Sequence, residues 1–318
     1  MDTLLIMLKN VIIFVLLAIP GYLLVKGKLL KAQESGALSK LLTNVGMPGL
    51  ILSSTLGLEF SGEFTKSIIV MAVICVLFTL VMFFTSAWLC AGEKQEKTRG
   101  MMRFCAVFAN SGFIGIPLAS AVFGGDSPVL AYLIVSNIVM NVMMFTLGVY
   151  LISGDKSAIN IKKAVLTPVF LAFVAGIILN LLGVVKVVPE LNTFTNHLKG
   201  LVTPLSMTVL GMKLAEVPIK RLLTSGRMYY VSFLRLLLYP VLGLAAMLAL
   251  RMIPALSIGA DTVIGFFVGF AMPTAGLASA FSDQYNGDTD NAVILTLGTT
   301  IVSILTIPAL YWALRLVV

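Results

Sequence analysis

Asn110-Ser-Gly-Phe-Ile-Gly-Ile-Pro117-Leu-Ala-Ser-Ala121 and Ala271-Met-Pro273-Thr-Ala-Gly276-Leu-Ala-Ser-Ala280 are the two places where this chain gathers polar side chains, glycine and proline inside its most apolar sequence. Leu118-Ala-Ser-Ala121 recurs as Leu277-Ala-Ser-Ala280, 159 residues downstream. Within a bilayer no water replaces a backbone hydrogen bond that proline removes, so such stretches survive only where the freed groups face protein, a cavity or a ligand. Paired interruptions in the two halves of a chain point to a transporter's binding site. The chemistry they offer is anion binding, by the unpaired N–H groups and positive dipole end of a half-helix that restarts after the break. Pro117 and Pro273 are expected in the first turn of those second halves, where an N–H would go unpaired anyway. Gly112, Gly115 and Gly276 would let a ligand approach the backbone closely.

The side chains near these breaks are neutral. Asn110 and Ser111 stand before the first, Thr274 and Ser279 flank the second, and Asn44 precedes Gly46-Met-Pro48-Gly49. Asn137 and Asn141 lie one turn apart on one helix face, and Thr296, Thr299 and Thr300 share another helix. The expected substrate-binding set is Asn110, Ser111, Gly112, Gly115, Pro117, Pro273, Thr274, Gly276, Asn137 and Asn141. For Asn137, Asn141 and the three threonines, helix–helix hydrogen bonding worth about 0.6–2 kcal/mol is an equal reading.

Absences narrow the chemistry. No Asp, Glu, Lys or Arg falls near the middle of an apolar segment; Arg235 and Lys213 read as end-of-helix cations that snorkel to the interface. A pump built on a mid-membrane carboxylate is not visible, unless Asp126, Asp261 or Asp283 dips deeper than its place in the sequence suggests. There is no acid pair, metalloprotease motif or Ser–His pairing for an enzyme. The single histidine, His197, excludes a multi-histidine metal site. Cys75, Cys90 and Cys105 are odd in number without ligand spacing and read as buried small hydrophobes. No cofactor and no metal are expected.

The elements that position these residues are set by composition. The 318 residues are 59% hydrophobic and 11% charged, with mean hydropathy +1.04, against about 25% charged in soluble domains. Ten apolar segments approach the ~20 residues a span needs: Leu4–Val25, Leu38–Leu56, Ile68–Leu89, Met102–Phe123, Val129–Ile152, Ala164–Val184, Leu198–Leu214, Tyr229–Leu250, Thr262–Phe281 and Ala292–Leu314. The second, fourth, seventh and ninth are interrupted, at Gly46–Gly49, Gly112–Pro117, Thr203-Pro204 and Pro273–Gly276. The first lacks a signal peptide's basic flank and reads as a retained helix. The net charge of +8 marks no nucleic-acid surface. Fifteen basic residues, among them Lys26, Lys97, Lys163 and Arg221, fall in the loops after the odd-numbered spans, against six on the other side. That bias places both termini outside the cytoplasm. The loop Ser282–Asn291 is the exception, with Asp283, Asp288 and Asp290 and no base.

The recurrence then acquires a physical meaning. The fourth span matches the ninth, so the unit is five spans, and an odd number inverts the second copy. Gly124-Gly-Asp126 resembles Asn286-Gly-Asp288, and Pro48 and Pro204 match in depth. The expected fold is an all-α polytopic membrane protein of ten transmembrane helices. It comprises two inverted five-helix repeats, residues 1–155 and 156–318, with broken helices four and nine crossing.

Asn110-Ser-Gly-Phe-Ile-Gly-Ile-Pro117-Leu resembles the signature of the auxin efflux carrier family of membrane transporters, and the resemblance covers nearly the whole chain. The short central loop Ser153–Lys163 is similar to that of bacterial members, and Ala271–Gly276 departs from the pattern by lacking an asparagine. The resemblance implies a scaffold domain (spans one, two, six and seven) and a transport domain (the others) in an elevator-like cycle. It further implies small organic anions such as malonate or malate as substrates, a bacterial inner membrane and a homodimer. A sodium-coupled importer of amphipathic acids, a passive anion channel and a transport-dead sensor stay open as alternatives.

Overall fold

The structure, a computed structural model, describes residues 2–58, 61–159, 162, 166–215 and 219–318, with backbone alone at 2–8 and 11. Lys163 and Ala164, assigned above to a basic loop and to the start of the sixth span, lie outside the described residues. Secondary structure among the described residues is helical apart from one two-residue bridge. The main helices are α1 (Asp2–Lys26), α2 (residues 35–56), α3 (Gly62–Leu89), α4 (Glu96–Val107), α5 (Ser111–Phe123), α6 (Pro128–Ser153) and α7 (Pro168–Leu181). They continue as α8 (Glu190–Gly200), α9 (Val202–Leu214), α10 (Gly226–Arg251), α11 (Ala260–Phe270), α12 (Ala278–Gln284) and α13 (Thr289–Leu314). Four of them, α3, α6, α10 and α13, are long and apolar enough to cross a membrane.

Their starts follow from side-chain caps. Ser61, Thr167, Ser225 and Asp288 each accept a hydrogen bond from the backbone N–H three residues on, satisfying an orphan donor of α3, α7, α10 and α13. Their interiors accommodate proline by widening. Turns of π-helix at Leu42–Gly46, Ser111–Gly115 and Leu234–Leu238 end two residues before Pro48, Pro117 and Pro240. A proline ring displaces the carbonyl four residues back and cannot donate to it; a local π turn lets the helix pass that point unbroken. Gly46–Gly49 is therefore no interruption: residues 35–56 run continuously helical through it. Thr203-Pro204 sits in the first turn of α9, and the chain turns at Leu201 instead.

By packing, the chain divides into two compact units that interleave along the sequence. The first comprises Met1–Phe60, Gly112–Ile134 and Leu166–Pro218. In it α1 and α9 approach at two glycines. A Cβ at Gly21 would lie 2.0 Å from the Thr208 carbonyl oxygen, and one at Gly211 would lie 1.9 Å from that of Ala18. The Asn180 amide donates to the carbonyls of Thr55, Leu56 and Leu58 at 3.0, 2.8 and 2.9 Å, closing the end of α2.

The second unit comprises Ser61–Ser111, Val135–Val165 and Ile219–Val318. At one end Glu93 pairs with Arg227 at 2.7 Å and Asp290 with Arg221 at 2.9 Å, while the Thr98 hydroxyl donates to Asp288 at 2.5 Å. Two carboxylates of the acidic loop that breaks the charge pattern are thereby met, Asp290 by Arg221 and Asp288 by the Thr98 hydroxyl at the start of α4. The Gln95 backbone N–H and then Arg227 hold the Glu93 carboxyl below its ordinary range. Burial alone would raise Asp288, but hydrogen bonds from Thr98 and Asn291 carry it below that range. At the other end the Ser67 hydroxyl donates to the Ser257 carbonyl at 3.2 Å. Phe78, Phe266 and Phe270 form the aromatic core between, with ring centroids 4.5–5.4 Å apart.

Candidate functional site

Both interruptions meet inside the second unit. α4 ends at Val107, Phe108 is extended (φ −97°, ψ 122°), and helix resumes at Ser111. α11 ends at Phe270, and residues 271–277 are non-helical until α12. The two extended stretches lie antiparallel, with Ala109 opposite Thr274. The Asn110 N–H donates to the Pro273 carbonyl at 2.7 Å, and the Ala275 N–H to that of Phe108 at 2.9 Å. Each stretch thus satisfies backbone groups that the other's break leaves open.

The carbonyls at the end of α4 can be followed one by one. Phe104 receives the Phe108 N–H at 2.9 Å, and Cys105 receives the Thr274 hydroxyl at 2.8 Å. Ala106 and Val107 both receive Nη1 of Arg235, at 3.3 and 2.7 Å. The same guanidinium donates from Nε to the Met272 carbonyl at 3.1 Å and from Nη2 to that of Phe270. Arg235 is 0% exposed and does not snorkel: it lies where the ends of α4 and α11 converge. Each helix C-terminus carries about −0.5 charge, so two of them match one guanidinium, which is always protonated. Sequence reasoning missed this residue because its partners are backbone carbonyls 35 to 129 positions away.

Side chains brace the crossing. The Asn141 amide donates to Oδ1 of Asn137 at 3.0 Å, and the Asn137 amide donates to Oγ of Ser111 at 2.9 Å. Both amides donate in the same direction, so the hydroxyl of Ser111, 1% exposed, ends the series as an acceptor with one O–H left to donate. On the opposite break the Thr274 N–H donates to the Thr299 hydroxyl at 3.2 Å. Of the expected set, the second unit holds Asn110, Ser111, Asn137, Asn141, Pro273, Thr274 and Gly276, whereas Gly112, Gly115 and Pro117 belong to the first.

Several local expectations require correction. The first break lies at Phe108–Asn110, upstream of Gly112–Pro117, which is helical. Pro117 is therefore not in the first turn after the break. Pro273 lies in the extended stretch before α12, not in that helix's first turn. Thr274's hydroxyl hydrogen is committed to Cys105. Asn44's amide bonds its own helix, at the Lys40 carbonyl, 2.7 Å away.

A helical architecture among the described residues with four helices long and apolar enough to cross a bilayer, and polar backbone buried where two apolar runs break and meet, defines a membrane-embedded protein. Comparison gives the family. The model of the membrane transport protein family, that of the auxin efflux carriers, matches residues 5–163 and 156–311, and the chain belongs to that family. An uncharacterized transporter of the archaeon Methanothermobacter thermautotrophicus is 29% identical over 308 residues, covering 94% of this chain and 96% of its own.

Proposed function

We propose that the protein is a secondary transporter of small organic anions, carboxylates such as malonate or malate, working by an elevator-type cycle. The observation that carries this reading is the directed series Asn141, Asn137, Ser111. It delivers a hydroxyl donor to the first residue of α5, a run of thirteen helical residues, whose leading N–H groups and dipole favour negative charge. Asn110 stands immediately before it, in the position of a cap. The binding side chains are then Asn110 and Ser111, oriented by Asn137 and Asn141. Thr274, Thr299 and Pro273 hold the second stretch in place. Gly112, Gly115 and Gly276 keep the approach to the backbone open, and Pro117 fixes the turn of α5.

In this reading the chain makes ten spans as two inverted repeats of five, with both termini on the extracytoplasmic side of an inner membrane and with homodimers as the assembled form. Of the packing units, one collects α1, α2, α7, α8 and α9, the proposed scaffold, together with residues 112–134 of the proposed transport helices, and the other collects the remaining transport helices. The partners are the substrate anion and the lipid bilayer.

Replacing Asn110 with Ala is expected to abolish saturable carboxylate uptake into proteoliposomes while the purified variant keeps its elution volume and melting temperature. Undiminished uptake by the folded variant removes Asn110 from the site. Uptake that requires a sodium gradient points to a sodium-coupled importer, and unsaturable flux to a passive channel.

A further inference from the structure

An arginine side chain with no solvent exposure needs a physical reason, because burying a charge costs several kcal/mol unless its hydrogen bonds are met. Arg235 lies inside α10, a helix long and apolar enough to cross a membrane. No carboxylate among the described residues is within ion-pair distance of it; Glu93, Glu96 and Asp290 pair with other bases. Its four hydrogen bonds all go to carbonyls, two on the exit of α4 and two on the exit of α11. Carbonyl oxygens converging from two helix C-termini are the ligand set that would attract a metal cation. Here a guanidinium occupies them.

The sign of the crossing follows. With the negative ends of α4 and α11 neutralised by Arg235, the remaining dipole at the first break is the positive start of α5. We infer that Arg235 is the resident counter-cation of the crossing, the fixed charge that lets an anion bind at the start of α5 with no metal cation bound beside it. This role rests on the anion-carrier reading above and deepens it. Arg235 is a positioning residue: it acts through α4, whose last carbonyl it holds four residues before Ser111, and it does not touch the ligand. A purely structural clamp would have the same contacts, so the test must read charge and not only stability.

The experiment compares wild type, R235K and R235Q in purified form, measuring the shift in melting temperature against malonate concentration in sodium and in choline buffers. Wild type is expected to give the same half-saturating malonate concentration in both buffers. R235K keeps the charge but loses the planar fork; it should respond within about tenfold of wild type. R235Q, if folded by size exclusion, should lose the response by more than about tenfold or regain it only in sodium. A folded R235Q with the wild-type malonate response in choline overturns the inference, as does a wild-type response confined to sodium. Should R235Q not fold, R235K decides: a folded R235K with no malonate response contradicts a role for charge. A wild type that no carboxylate stabilises contradicts the carrier reading itself, a result distinct from an equal response in wild type and R235Q.

Discussion

Thr299 shows how one side chain sustains the crossing. Its hydroxyl receives the buried Thr274 N–H and donates to the Thr296 carbonyl at 3.0 Å. Thr299→Val keeps the shape and strands that N–H, a loss of about 1–3 kcal/mol. The expected outcome is a melting temperature lowered by several degrees, restored in Thr299→Ser; an unchanged Thr299→Val means the N–H finds another partner. The residues at the break were legible in the sequence because their types are rare in apolar surroundings: Asn110, Ser111 and Thr274 all meet at the crossing. Arg235 was not legible. Position along a helix gave it a place near an end, and only the folded chain shows that carbonyls from α4 and α11 converge on it. Asn137 and Asn141 were readable as a pair on one face, but their direction toward Ser111 depends on where α6 packs.

At the scale of elements, glycine sets how closely helices approach. With the Ala18 carbonyl 1.9 Å from where a Cβ would stand, Gly211→Leu must force α1 and α9 apart. We expect a loss of about 1–3 kcal/mol or more, read as thermal unfolding, whereas Gly226→Ala, which meets nothing within 4 Å, should be tolerated. Helix starts respond to pH in a defined sense. The Asp288 carboxylate, held below its ordinary range, caps α13 while ionised. Its stabilisation is present above about pH 4 and is lost as pH falls through its lowered folded value. Asp288→Ala should therefore be less stable than wild type at pH 6, by about 0.5–2 kcal/mol, and the gap should narrow as pH falls below about 4; a gap constant with pH would show that the cap does not depend on charge. Helix locations were readable from apolar runs, since a chain of this hydropathy has few other ways to satisfy its backbone. The exact breaks were not. Proline acts on the carbonyl four residues upstream, and a π turn can absorb it, so Pro48 and Pro117 mark widened turns and the true gap opens before Ser111.

Over the whole molecule, sequence order and packing order differ. A repeat is read along the chain, whereas the compact units gather segments from both halves, so the contacts that define them had no signature in any local window. Gly124 and Asn286, which end the two matching stretches, both take positive φ, 92° and 56°. With ψ at 159°, Gly124 takes a conformation essentially reserved for glycine, so the two positions share the sign of φ alone. The proposed cycle carries a carboxylate by alternating exposure of one site. Counterflow measures that directly. Proteoliposomes preloaded with unlabelled malonate and diluted into a trace of labelled malonate should accumulate label transiently above its equilibrium level, and Asn110→Ala should not. Label that only equilibrates, at a rate unaffected by the internal malonate, would contradict the account.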